Sequence, residues 1–88
     1  MLIQIVSDTT TSYGEHGTQI RYVRMESGRH AVTVGIETGR WPRVNVVVHN
    51  AAHRVWRGAG RYFATLAEAA DHYKTPEIRA MVRHAADA

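Results

Sequence analysis

The sequence predicts an α+β domain, an antiparallel β-meander of four to five strands packed against one or two C-terminal helices. Three observations carry this prediction. Between Thr18 and His49 apolar and polar residues alternate, which is the period of a strand with one buried face. Turn formers, glycine prominent among them, separate these runs at short intervals, so successive strands should join as neighbours. From Thr65 onward the apolar spacing lengthens to that of a helix. Strands first and helices afterwards is the α+β order. Eighty-eight residues make a single domain, 1–88, with a strand region over 1–63 and a helical region over 65–87.

Leu2–Val6 is apolar and reads as the first strand. Asp8–Gly17 (DTTTSYGEHG) is rich in turn formers and reads as a surface loop. Thr18–Met25 follows as a strand, with Ile20 and Tyr22 on one face and Arg21, Val23 and Met25 on the other. Ser27-Gly28 suits a tight hairpin turn. In His30–Glu37, Val32, Val34 and Ile36 face one way and Ala31, Thr33 and Gly35 the other. The loop from Thr38 to Pro42 breaks the pairing. In Arg43–His49, Val44, Val46 and Val48 should face the core, and Arg43, Asn45, Val47 and His49 should face outward. Asn50–His53 turns the chain, and Arg54–Arg57 is a short strand with Val55 and Trp56 on opposite faces. Gly58-Ala59-Gly60 permits a bend or bulge.

Thr65-Leu66-Ala67-Glu68 is a capping box, in which Thr65 caps and Glu68 reaches back. Leu66, Ala69, Ala70 and Tyr73 then form one helical stripe. Pro76 disfavours helix at Thr75, so this helix should stop near Lys74. Thr75-Pro76 starts a second helix, with Thr as N-cap and Pro in the first turn; Ile78, Met81, Val82 and Ala85 are its apolar stripe. These two stripes are the only cover for the apolar face of the sheet. The opposite face, or the loops, is left for solvent or a partner.

The absence of cysteine excludes disulfides and thiolate metal sites and fits a reducing cytoplasm, where the chain is expected to reside. Met1–Val6 has no basic flank and is too short for a signal peptide or a membrane span, so no membrane partner is expected. Ten of the eleven basic residues are arginine. Between Gly17 and Ala64 eight arginines stand against two acids, Glu26 and Glu37, so the basic charge lies on the strand region. Arginine's planar fork suits phosphate and carboxylate.

No catalytic, metal or cofactor site is expected. The six histidines (His16, His30, His49, His53, His72 and His84) are scattered, with no acidic or thiol ligand at a metal-site spacing. The hydroxyls Thr9 to Ser12 lack a glycine elbow or a Gly-Lys-Thr context. Gly58-x-Gly60 lacks the third glycine of a dinucleotide fingerprint. Glu26 and Glu37 have no inferable cleft for acid–base work.

The constellation that stands out is Arg40, Trp41, Arg43, Asn45, Arg54, Trp56, Arg57 and Arg61, with His49. It combines guanidinium, amide and indole on strands and loops expected to be adjacent. Nucleic acid wants these groups: Arg for phosphate and guanine edges, Asn for adenine, an aromatic ring for stacking. A solvated sheet face, with arginine used where another genome uses lysine, accounts for any single member. The set as a whole points to a surface function.

Gly39-Arg40-Trp41, Arg54-Val55-Trp56-Arg57-Gly58 and Phe63-x-Thr65-x-x-Glu68-Ala69-Ala70-x-x-Tyr73 together resemble the DNA-binding domain of plant ethylene-response factors and the related arm-binding domain of phage integrases. The likeness covers about 35 of 88 residues. It implies a three-stranded sheet in the DNA major groove with a helix behind, and Arg and Trp on the DNA. The chain departs from that pattern at Ala59-Gly60-Arg61-Tyr62 and at Lys74, and carries additional strands before the match. His49–Gly58, with Tyr73–Arg79, also resembles small uncharacterised proteins of proteobacterial phages and mobile elements, which implies a regulator or an inhibitor of a host system.

The expected function is therefore a small, non-enzymatic, nucleic-acid-binding module acting through its basic Arg/Trp sheet face. The alternative is a phage or mobile-element protein that binds and regulates or inhibits a host protein complex. In that case Tyr13, Tyr22, Trp41, Trp56 and Tyr62 are the anchors, since Trp, Tyr and Arg dominate interface hot spots. A flat arginine face without acids favours the first reading. An exposed strand edge or apolar patch favours the second. The oligomeric state is open, a homodimer included.

Overall fold

The computed structural model describes residues 2–13, 17–50 and 60–87. Five strands, β1 (Gln4–Tyr13), β2 (Thr18–Ser27), β3 (His30–Thr38), β4 (Arg43–Asn50) and β5 (Arg61–Phe63), are followed by two helices, α1 (Leu66–His72) and α2 (Pro76–His84). The strands form one antiparallel sheet in chain order, β1-β2-β3-β4-β5. The α+β prediction holds, with five strands and two helices among the described residues.

The apolar alternation places the core. Val34 on β3 lies opposite Val23 on β2 and Val46 on β4, and Val32 lies opposite Met25. All five are buried on one face of the sheet. Against that face α2 lies over β2 and β3, and α1 over β4 and β5. The helical stripe supplies the other half of the core: Ala69, Ala70, Ile78, Met81, Val82 and Ala85, with Leu66 and Tyr73 packed at its margin. Val44 and Val46 face the core as expected, whereas Val48 stays 39% exposed.

Capping fixes where α1 begins. The Glu68 N–H donates to Thr65 Oγ1 at 3.1 Å, and the Ala64 N–H donates to Glu68 Oε2 at 3.3 Å, so the reciprocal box forms with the return bond one residue upstream of the cap. Tyr73 ends α1 in an extended conformation, and Pro76 opens α2 after Thr75, whose side chain makes no capping bond. Arg79 on α2 ties the two helices together: its Nε donates to the carbonyl oxygens of Tyr73 (3.0 Å) and Ala70 (3.3 Å), two acceptors that the end of α1 leaves open.

Three expectations are corrected. Asp8–Tyr13, read as loop, is the greater part of the ten-residue β1, paired with β2 from Asp8↔Val23 to Tyr13↔Thr18. Its threonines favour extended backbone, and as an edge strand exposed on both faces it carries no apolar alternation to betray it. The strand starts at Gln4, not Leu2, with a register irregularity between Ile5 and Ser7. The β2–β3 hairpin turns at Gly28-Arg29, because Ser27 is still paired with His30; Gly28 takes φ +59°, which costs a glycine little. The expected turn at 51–53, the strand Arg54–Arg57, and Gly58 and Ala59 lie outside the described residues.

Candidate binding surface

The face of the sheet away from the helices carries the candidate surface. Rows of side chains cross it. One runs Thr9, Tyr22, Gly35, Asn45, Tyr62 through successive strand pairs, and the next runs Thr11, Ile20, Glu37, Arg43. Gly35 makes room in the first row. A Cβ there would meet the Tyr22 ring at 3.2 and 3.3 Å, so the ring lies across the β3 backbone. Gly60 does the same for Asn45: any Cβ at 60 would collide with the Asn45 amide.

Arg43 is held from two sides. Its Nε donates to the Glu37 carboxylate, and its guanidinium sits over the Tyr62 ring, 3.9 Å from the centroid. The Glu37 hydrogen bond raises the Arg43 pKa above its ordinary value; partial desolvation opposes it, and the charges of Glu37 and Tyr62 add to it. Two residues upstream, the β3–β4 loop presents Arg40 and Trp41. The Trp41 ring is 79% exposed, with the Arg40 guanidinium 5.6 Å from its centroid. Tyr62 is 53% exposed. The structure thus presents two exposed aromatic and arginine pairs, Arg40 with Trp41 on the β3–β4 loop and Arg43 with Tyr62 across β4 and β5.

Not all expected site residues meet here. Arg43 and Asn45 share this face, and Arg40 and Trp41 border it. Arg61 does not join them. It pairs with Val46, so it points to the helical side, where its charge acts on Tyr73. The cause is strand parity: Phe63 must enter the core opposite Val44, which sends Arg61 to the same side and Tyr62 to the other. Arg54, Trp56 and Arg57 lie outside the described residues, as do His16, His53 and the side chain of Tyr13.

Acids offset the arginines here. Among the described residues this face bears Arg24 and Arg43 against Glu26 and Glu37, so it is balanced and not basic. Nor is it an open plane. Ala31, Thr33 and Val47 are buried on it, and the Arg24 Nε is buried without a hydrogen-bond acceptor. Within each strand the two-residue period separates Glu37 from Val34 and Ile36, and Arg43 and Asn45 from Val44 and Val46, but only the pairing register brings Glu26, Glu37, Arg43 and Asn45 to one side.

Among the described residues no group of three or more His, Cys, Asp or Glu side chains is arranged to hold a metal ion, and no helix is long and apolar enough to cross a membrane. Comparison with protein-family models, curated proteins and solved structures finds no match for this chain.

Proposed function

We propose that this chain is a small non-enzymatic binding module that docks on a protein partner through Trp41 and Tyr62, framed by Arg40, Arg43 and Asn45. The observation that carries this reading is the pair of exposed aromatic rings, each attended by an arginine, on a sheet face whose described charges balance. Exposed Trp, Tyr and Arg are the residue types that dominate interface hot spots. The Glu37–Arg43 pair and the Tyr62 stack hold the arginine in one geometry before any partner arrives, which lowers the entropy lost on docking. The likeness to small phage and mobile-element proteins suggests a host protein complex as the partner.

Binding to nucleic acid is the second reading. It draws support from Arg40 and Trp41, whose charge and stacking face stand out together from the loop. One experiment separates the two. The tagged chain and its Trp41→Ala, Tyr62→Ala and Arg83→Ala variants are used to capture partners from host extract. Each is also titrated with a duplex and a single-stranded oligonucleotide at two salt concentrations. The expected result is a discrete protein partner retained by the parent and by Arg83→Ala, and weakened roughly 30-fold or more by Trp41→Ala, the scale of losing a hot-spot residue. Salt-dependent oligonucleotide binding, lost with Trp41 and without a captured protein, makes the nucleic-acid reading the right one.

A further inference from the structure

We propose that two copies of this chain join edge to edge through β1, antiparallel about a two-fold axis at Thr10, to make one continuous sheet of five strands from each copy. β1 is an outer strand of the sheet, and Gln4–Ser12 are exposed along its length. A strand at a sheet edge presents a row of unpaired N–H and C=O groups. Natural edges are blunted by proline, lysine, brevity or bulges. The opposite edge, β5, uses brevity, with three residues. β1 has ten residues and contains neither proline nor lysine. Its irregularity, between Ile5 and Ser7, is confined to one end. Its single charge, Asp8, accepts two hydrogen bonds from Arg21, at 2.8 and 2.5 Å, and so does not repel a neighbour as a bare carboxylate does.

The regular stretch Ser7–Tyr13 is nearly its own complement. Thr10 is its midpoint, so an axis there pairs the whole stretch with itself. Thr10 then faces the partner's Thr10, Thr9 faces the partner's Thr11, and Asp8 faces the partner's Ser12, whose hydroxyl donates to the carboxylate. Cross-strand pairs of hydroxyl side chains are favourable and like charges directly opposite are not. An axis at Asp8 would oppose two carboxylates and is excluded by the same rule. Seven paired residues add about six to eight backbone hydrogen bonds. β1 carries no basic residue, so joining these edges keeps the arginine-bearing strands of the two copies apart. The contact is isologous and closes on itself. It uses neither Trp41 nor Tyr62, so it stands or falls independently of the docking surface proposed above.

The test is sedimentation equilibrium of the full chain over a range of concentrations, alongside two variants. The parent should approach twice the 9.9 kDa chain mass as concentration rises. Thr10→Glu/Ser12→Glu places carboxylates opposite each other at the axis and opposite Asp8. Both sites are exposed, so this variant should keep the parent's circular dichroism while becoming monomeric. Since the natural chain has no cysteine, Thr10→Cys should form a disulfide-linked dimer on mild oxidation, and Glu68→Cys on α1 should not. A parent that is monomeric at every concentration, a dimer indifferent to the double variant, or a cross-link that favours position 68 each overturns the proposal.

Discussion

Asp8 and Arg21 show how one ion pair ties the edge strand to its neighbour. The two hydrogen bonds from Arg21 hold the Asp8 carboxyl below its ordinary pKa; partial desolvation opposes them, and the direct charge attraction adds to them. The sign follows. A carboxyl with a depressed folded-state pKa contributes stability that is present above its unfolded value and is lost as pH falls through the folded value. Thermal melts across the acid range should therefore show a destabilising limb that Asp8→Asn makes shallower, with parent and variant converging at the lowest pH. An acid limb identical in the two proteins would show that the pair does not couple to folding. Tyr73 is shifted by burial instead, which raises its pKa, with Arg61 pulling weakly the other way. Its stabilising neutral form is present below the ordinary tyrosine value and is lost only as pH rises beyond it.

The elements differ in how plainly the chain announces them. At α1 the capping box is a chemical signal, independent of tertiary context, and the structure uses it where it is written. Thr65→Ala removes the oxygen that accepts from the Glu68 N–H and should cost about 1 kcal/mol, read as a lower denaturant midpoint at unchanged slope. Coincident midpoints would mean that the cap is dispensable. β3 and β4 are legible for another reason: both lie inside the sheet, and the larger apolar side chains Val32, Val34, Val44 and Val46 recur at every second residue on the side the helices cover, even though Ala31, Thr33 and Val47 are buried on the other side. β1 failed that test because hydrophobic pattern reports burial, not pairing, and a two-sided exposed strand has no burial to report. The candidate surface was half legible on the same grounds. Arg43 and Asn45 were placed by parity within a clear strand, whereas the side taken by Arg61 depended on how Phe63 enters the core three residues after Gly60. The Glu37–Arg43 pairing needed the β3–β4 register, which no local pattern contains.

At the scale of the molecule, sheet and helices have no separate cores. Val23, Met25, Val32, Val34 and Val46 on one layer meet Ala69, Ala70, Ile78, Met81, Val82 and Ala85 on the other in one buried cluster. Neither layer can hide its apolar face alone, so both should unfold together. Met81 tests this. It is fully buried on α2, which lies across β2 and β3, so truncation leaves a cavity between the layers and not within the helix. Met81→Ala should cost roughly 2–5 kcal/mol, a large part of the about 5–15 kcal/mol that holds a typical domain together. If the domain is a single cooperative unit, that loss is shared. Native-state hydrogen exchange should show the most protected amides of β3 and of α2 losing protection by the same amount, although the substitution touches no backbone bond in either. A loss confined to α2 would mean that the helix unfolds by itself over a sheet that survives it, and the meander would then be stable without its cover.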